Sequence, residues 1–142
     1  MRYVYDDGGR SKYFKARNVS DCVTRAVAIA TLRDYKEVYD DLFRLSGESP
    51  RNGVMKSTIK KYLNNIGWEF VPLMKVGSGC TVHLNPDELP KDERIICSCS
   101  RHYVAVIYGE VHDTYDSTRD GERCVYGYWH NPQDNDLSIF FK

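Results

Sequence analysis

Ser100-Arg-His102-Tyr-Val-Ala-Val-Ile-Tyr108-Gly109-Glu-Val-His112-Asp113-Thr-Tyr115-Asp116 reads as two β-rich runs joined at Tyr108-Gly109-Glu110. Runs of this kind on either side of a glycine predict a hairpin. A strand scaffold holds an end-of-strand side chain such as His102 rigidly. The turn leaves two registers open. A three-residue loop centred on Gly109 puts Asp116 directly across from His102, whereas a two-residue Tyr108-Gly109 turn puts Asp113 on the His102 face. In either register one carboxylate is available to orient the imidazole.

Outward from this hairpin the second half of the chain continues in short β-rich runs: Trp68 to Leu73, Arg94 to Ser98, Val125 to Trp129 and Leu137 to Phe141. Gly77-Ser-Gly79 and the segment bracketed by Pro86 and Pro90 read as turns. The first half has a different period. Asn18-Val-Ser20-Asp21 supplies capping side chains ahead of Cys22, Val23, Ala26, Val27, Ile29 and Ala30, whose spacing predicts a helix from about Asp21 to Thr31. Asp34 and Glu37 stand at capping-box spacing before Val38, Leu42 and Leu45, with Gly47 as a stop. Ile59, Tyr62, Leu63 and Ile66 give a third helix that ends at Gly67. Helices gathered in the first half and strands in the second predict an α+β fold, an antiparallel sheet covered on one face by helices.

With 142 residues the chain has room for one domain and one core. Lys and Arg number 20, as do Asp and Glu, so no global field draws it to nucleic acid or to an acidic membrane. The N-terminal segment lacks an apolar stretch of the signal type, and no run approaches the roughly 18 apolar residues of a membrane span. The expected setting is the cytoplasm. Five cysteines, an odd number, are then expected to be reduced thiols, and a disulfide scaffold is the weaker reading.

Cys22 falls in the first turn of the predicted first helix, where unpaired backbone N–H groups favour thiolate over thiol. A nucleophilic thiol needs a base, and the base works best when a third group fixes its tautomer. Cys22, His102 and the following aspartates supply the three parts in a workable order. Against this stand two plain alternatives: a small buried core thiol and a satisfied strand-end histidine.

Asp21-Cys22-Val-Thr-Arg-Ala26-Val-Ala-Ile-Ala30 resembles the start of the nucleophile helix in papain-like cysteine peptidases, nearest to the bacteriocin-processing peptidase group. His102-Tyr-Val-Ala-Val, followed by an Asp after a hairpin, resembles that family's His and Asp strands. The order of blocks through Val111-His-Asp-Thr-Tyr-Asp116 and Arg123-Cys-Val-Tyr-Gly-Tyr-Trp129 is also similar to small uncharacterised proteins of phages and bacteria, for which a host cytoplasm is the expected setting. The resemblance implies a papain-like fold with the nucleophile on the first helix. It further implies thiol peptidase or amidohydrolase chemistry: Cys22 attacks an amide or ester carbonyl, His102 moves the proton, and Asp116, with Asp113 in reserve, orients the ring. Substrates of this kind are peptides, proteins or small amides, and no cofactor is implied. Six residues before the nucleophile, where the family carries an oxyanion-hole Gln, this chain has Ala16. Asn18 and the Cys22 backbone N–H are the nearest substitute donors, with Arg17 and Ser20 behind them. A descendant that keeps the fold without the activity, as a protein-interaction module, is the alternative.

Two other constellations compete. Cys97, Cys99 and His102, with Cys80 and His83, offer soft ligands for zinc, but no CxxC knuckle is present, and residues two apart on a strand share one face as core. Arg119, Arg123 and His130 flank Tyr126, Tyr128 and Trp129 in a pattern able to grip a nucleic-acid strand, although Asp120 and Glu122 dilute the charge. Lys60 and Lys61 read as a solvated helix face.

Overall fold

The computed structural model describes residues 1–15 and 20–133, and it has the expected division of the chain into helices followed by strands. Helices α1 (Cys22–Thr31), α2 (Tyr35–Ser46) and α3 (Lys56–Asn65) precede strands β2 (Glu69–Pro72), β3 (Arg94–Cys99), β4 (His102–Ile107), β5 (Glu110–Asp113) and β6 (Val125–His130). A short strand β1 (Tyr3–Tyr5) comes before them all. The class is α+β. The predicted strand at Leu137 to Phe141 lies outside the described residues.

Local chemistry accounts for most boundaries. Asp34 caps α2 by accepting from the Glu37 N–H, and Gly47 ends that helix at φ 74°, a left-handed conformation that glycine adopts without a Cβ penalty. The β4–β5 connection is the two-residue turn Tyr108-Gly109, with φ of 49° and 80°. Two successive left-handed residues match the twist of the flanking strands. Pairing of Ile107 with Glu110, Val106 with Val111 and Ala105 with His112 follows from that turn and decides between the two registers.

The sheet runs in the order β1-β5-β4-β3-β6-β2. It is mixed rather than purely antiparallel, because β1 lies parallel to β5, with Tyr3 opposite Val111 and Tyr5 opposite Asp113. Three residues are too few to show a period of two, which is why the sequence did not announce this edge strand.

The core is divided by the sheet. On one face Val27, Val38, Leu42, Ile59 and Leu63 of the helices meet Ile96, Ala105 and Trp129. On the other, Cys97, Cys99, Val104, Val106 and Val125 pack under Leu84 and Leu89 from the loop before β3. A single core against one sheet face was expected, but the Pro-bracketed loop carries enough apolar surface to close the second face. Helix α1 lies between β4 and α2, so residues 23–30 are buried all round instead of along one stripe.

Cys80 and Cys124 form a disulfide, a correction to the expectation of five reduced thiols. The Val82 carbonyl accepts from Val125 N–H, and His83 pairs with Cys124 as an isolated bridge, which brings the 80–84 segment alongside the start of β6. Titration of the unreduced, denatured chain with a thiol reagent is expected to find three thiols, Cys22, Cys97 and Cys99, and five after reduction. Five before reduction removes the bond. Its loss is expected to lower stability by about 2–4 kcal/mol, because a loop of this length gains freedom in the unfolded chain. No helix among the described residues is long and apolar enough to cross a membrane.

Candidate functional site

Cys22 is the first residue of α1, His102 the first of β4 and Asp113 the last of β5, so three elements deliver one side chain each to the same end of the sheet. The His102 Nε2 lies 2.7 Å from Asp113 Oδ2. An ionised carboxylate only accepts, so Nε2 carries the proton toward it and Nδ1 is left as the basic nitrogen. Both side chains are buried.

Asp116, placed across from His102 in the alternative register, does not orient the ring. Its Oδ1 accepts from the Thr118 N–H at 3.1 Å and from the Thr118 hydroxyl at 2.7 Å, closing the turn that follows β5. The tight Tyr108-Gly109 turn is the physical reason, since it brings Asp113 and not Asp116 onto the imidazole. Asn18, Arg17 and Ala16 lie outside the described residues.

The Asp113 carboxylate is held from several sides. Besides His102, it accepts from the Ser117 hydroxyl at 2.8 Å, from the Thr114 N–H at 2.7 Å and from the Arg25 guanidinium at 3.3 Å. Burial works to raise its pKa, but the contacts with His102, Ser117 and Thr114 outweigh burial and hold it below the ordinary value. His102 shows the matching opposite. Burial works to lower its pKa, yet hydrogen bonding to Asp113 and the interaction with Cys22 leave it raised. For Cys22, burial works to raise the thiol pKa, and the His102 imidazole, the Tyr103 backbone N–H and the Arg25 charge more than offset it. Thiolate and imidazolium therefore favour one another.

Arg25 was not singled out in the sequence. It stands on a helix buried on all sides, is itself buried, and pairs with Asp21 one turn earlier as well as with Asp113. The Asp21 carboxylate also accepts from Arg10 at 3.1 Å and from the Tyr35 hydroxyl at 2.7 Å. The legible signal was an Asp and an Arg four residues apart on a run otherwise made of small and apolar residues.

One depression includes Cys22 and a second is lined in part by Tyr103, the residue after His102. A pocket of about 210 Å³ is lined by Ser20, Cys22, Arg25, Arg101, His102 and Tyr115. A larger cleft of about 350 Å³ lies between α3 and the open end of the sheet, walled by Ile59, Phe70, Pro72, Tyr103, Tyr126 and Trp129. Tyr103 belongs to both neighbourhoods, because its backbone N–H faces the Cys22 sulfur while its side chain lines the cleft. A Cβ at Gly127 would clash with the Phe70 ring and the Val71 carbonyl, so glycine there lets the Phe70 ring lie against β6. Lys60, read as a solvated face, stands with Lys56 on the wall of this cleft.

The competing constellations fare differently. Cys97 and Cys99 are buried core residues on the loop-covered face, and burial pushes both thiols up, Cys99 to about 11. Among the described residues no group of three or more His, Cys, Asp and Glu stands where it could hold a metal ion. Arg123 is buried and donates to the Ser100 and Ser117 carbonyls, and His130 contacts Glu93 at 2.8 Å. With Tyr128 and Trp129 on opposite sheet faces, these groups do not form one nucleic-acid grip. No protein-family model, curated protein or solved structure matches the chain.

Proposed function

We propose that the chain is a papain-like cysteine hydrolase, a thiol peptidase or amidohydrolase, with Cys22 as nucleophile, His102 as acid and base, and Asp113 as the group that orients His102. The convergence of a helix-start thiol, a strand-start imidazole and a buried carboxylate, with Asp113 2.7 Å from the ring, carries this reading. A nucleophile on the first helix and a base and orienter on adjacent strands of the covering sheet support the papain-like assignment. A cytoplasmic setting is proposed because it keeps the catalytic thiol reduced, and it requires the Cys80–Cys124 bond to persist against the reducing pool.

The chemistry follows from the protonation states. His102 Nδ1 takes the Cys22 proton, and the thiolate attacks the carbonyl carbon of an amide or ester, forming the C–S bond as the carbonyl electrons move to oxygen. Collapse of that intermediate breaks the bond to the leaving group, which takes the proton from the imidazolium. Water, deprotonated by the neutral imidazole, then releases the acyl group and restores the thiol pair. The Cys22 backbone N–H, at the start of α1, is a donor for the oxyanion. The neighbouring aromatic cleft offers room for a substrate side chain.

Iodoacetamide is the direct test. Peptide mapping is expected to find Cys22 alkylated faster than Cys97 and Cys99, and well below the free-thiol pKa of about 8.5. Its rate should fall as pH drops through the lowered Cys22 pKa. Hydrolysis, which also needs the imidazolium, should fall again as pH rises through the raised His102 pKa. Slow, uniform labelling of all three thiols sinks the enzyme reading and leaves the interaction module.

A further inference from the structure

Strands β3 and β4 are joined by the two residues Ser100-Arg101, between the paired Cys99 and His102. Arg101 sits there at φ 54°, in the left-handed region that a glycine or asparagine occupies at little cost and a long side chain does not. Strained residues of this kind gather where a side chain is needed for something other than the turn. Arg101 directly precedes His102, is exposed, and lines the same small pocket as Cys22 and His102.

The two guanidinium groups of that pocket differ in their commitments. Arg25 is buried and paired with Asp21 and Asp113. The Arg101 guanidinium has neither an ion-pair nor a hydrogen-bond partner among the described residues. Nor do the nearby carboxylates serve it. Asp21 and Asp113 are buried among their own donors, and Asp116 is engaged by Thr118. Among the described residues a free cation therefore stands in a pocket whose other charges are already matched, and a charge in such a concave site draws in ligands of opposite sign.

We infer that Arg101 recognises a carboxylate carried by the substrate beside the carbonyl that Cys22 attacks, so that the site selects acidic peptides over neutral ones. This rests on the hydrolase reading, because it locates the carboxylate relative to the reacting thiolate. The planar fork of an arginine matches a carboxylate in a way that a lysine does not. Arg101 is a specificity residue, since it contacts the substrate's charge and takes no part in moving the proton.

Two alkylating agents of similar size test this on the full chain without a known substrate. In each, the Cys22 thiolate attacks the methylene carbon, a C–S bond forms and iodide leaves; iodoacetate carries a carboxylate and iodoacetamide does not. The ratio of their rates at Cys22 is expected to be about 5-fold higher in the wild type than in Arg101→Asn, the order expected for one charge pair near a protein surface. Asparagine tolerates the left-handed turn, so this variant keeps the fold. Arg101→Glu is expected to lower the ratio further, and about 1 M salt, where the screening length is about 3 Å, to bring the wild type close to Arg101→Asn. Rapid iodoacetamide labelling with an unchanged ratio in Arg101→Asn overturns the role of Arg101 alone. Slow iodoacetamide labelling of Cys22 in the wild type overturns the hydrolase reading and this inference with it.

Discussion

Asp113→Asn is expected to lower hydrolysis about 1,000- to 10,000-fold, the scale seen when the carboxylate of a nucleophile, base and acid triad becomes an amide, while Asp116→Asn stays within a few-fold of the wild type. At position 113 the Thr114 N–H and the Arg25 guanidinium, which only donate, hold the amide oxygen on their side, so the NH2 faces His102 Nε2, which then accepts instead of donating. That reverses the tautomer and leaves a protonated Nδ1 facing the thiol, unable to take its proton. Asp116, by contrast, meets the Thr118 hydroxyl and N–H, and its loss relaxes a turn. Steady-state turnover of an acidic chromogenic peptide measures both. Equal losses in the two variants remove Asp113 from its assigned role.

The same pair sets a pH dependence of stability with a definite sign. The folded pKa of His102 is raised, so its contribution is fully present below its unfolded value of about 6.5 and is lost as pH rises through the folded value. That of Asp113 is lowered, so its contribution is present above its unfolded value of about 3.9 and is lost as pH falls through the folded value. The stability gap between wild type and Asp113→Asn is therefore expected to be widest at about pH 4 to 6.5 and to shrink on either side. Urea unfolding at pH 5 and pH 9 reads this directly, and a gap that widens at pH 9 contradicts the coupling.

Much of this site was legible because it depends on local rules. A thiol at a helix start and a His at a strand start can be read from a change of period, and both stand where the sequence put them, although Asp21, read as a capping side chain, makes no capping hydrogen bond and is taken up by Arg10, Arg25 and Tyr35. The choice between Asp113 and Asp116 was not legible. It turns on whether Tyr108 adopts a left-handed conformation beside Gly109, which an aromatic residue does only under tertiary pressure. Longer-range features were out of reach for a related reason. Strand β1 is too short for a period, the Cys80–Cys124 bond spans a separation of 44 residues, and the loop over the second sheet face has no regular structure to announce it. Arg25 was passed over because a lone cation on an apolar helix reads as an exposed edge until both carboxylates that surround it are known.

Arg25→Met is expected to be the most destabilising of the single changes considered, at about 3–5 kcal/mol, because it keeps much of the buried stem but leaves two buried carboxylates without their shared cation. Asp21 retains Arg10 and Tyr35, and Asp113 retains His102, Ser117 and Thr114, so the network is weakened and not dissolved. A loss of that size lowers the melting temperature by about 10–20 °C in a chain of this length. Two further measurements separate charge from packing. In Arg25→Met/Asp21→Asn the carboxylate that has lost one of its two cations is removed as well, so the double variant is expected to be less destabilised than the sum of the single ones. At Cys22 the Arg25 charge favours the thiolate, so the midpoint of the iodoacetamide pH profile is expected to move upward in Arg25→Met. Arg25→Lys keeps the charge but lacks the fork that reaches Asp21 and Asp113 together, and is expected to restore the thiol midpoint more fully than the stability. If the midpoint stays fixed in Arg25→Met while stability falls, Arg25 is a packing residue of α1 and the thiolate owes its favour to His102 and the helix start alone.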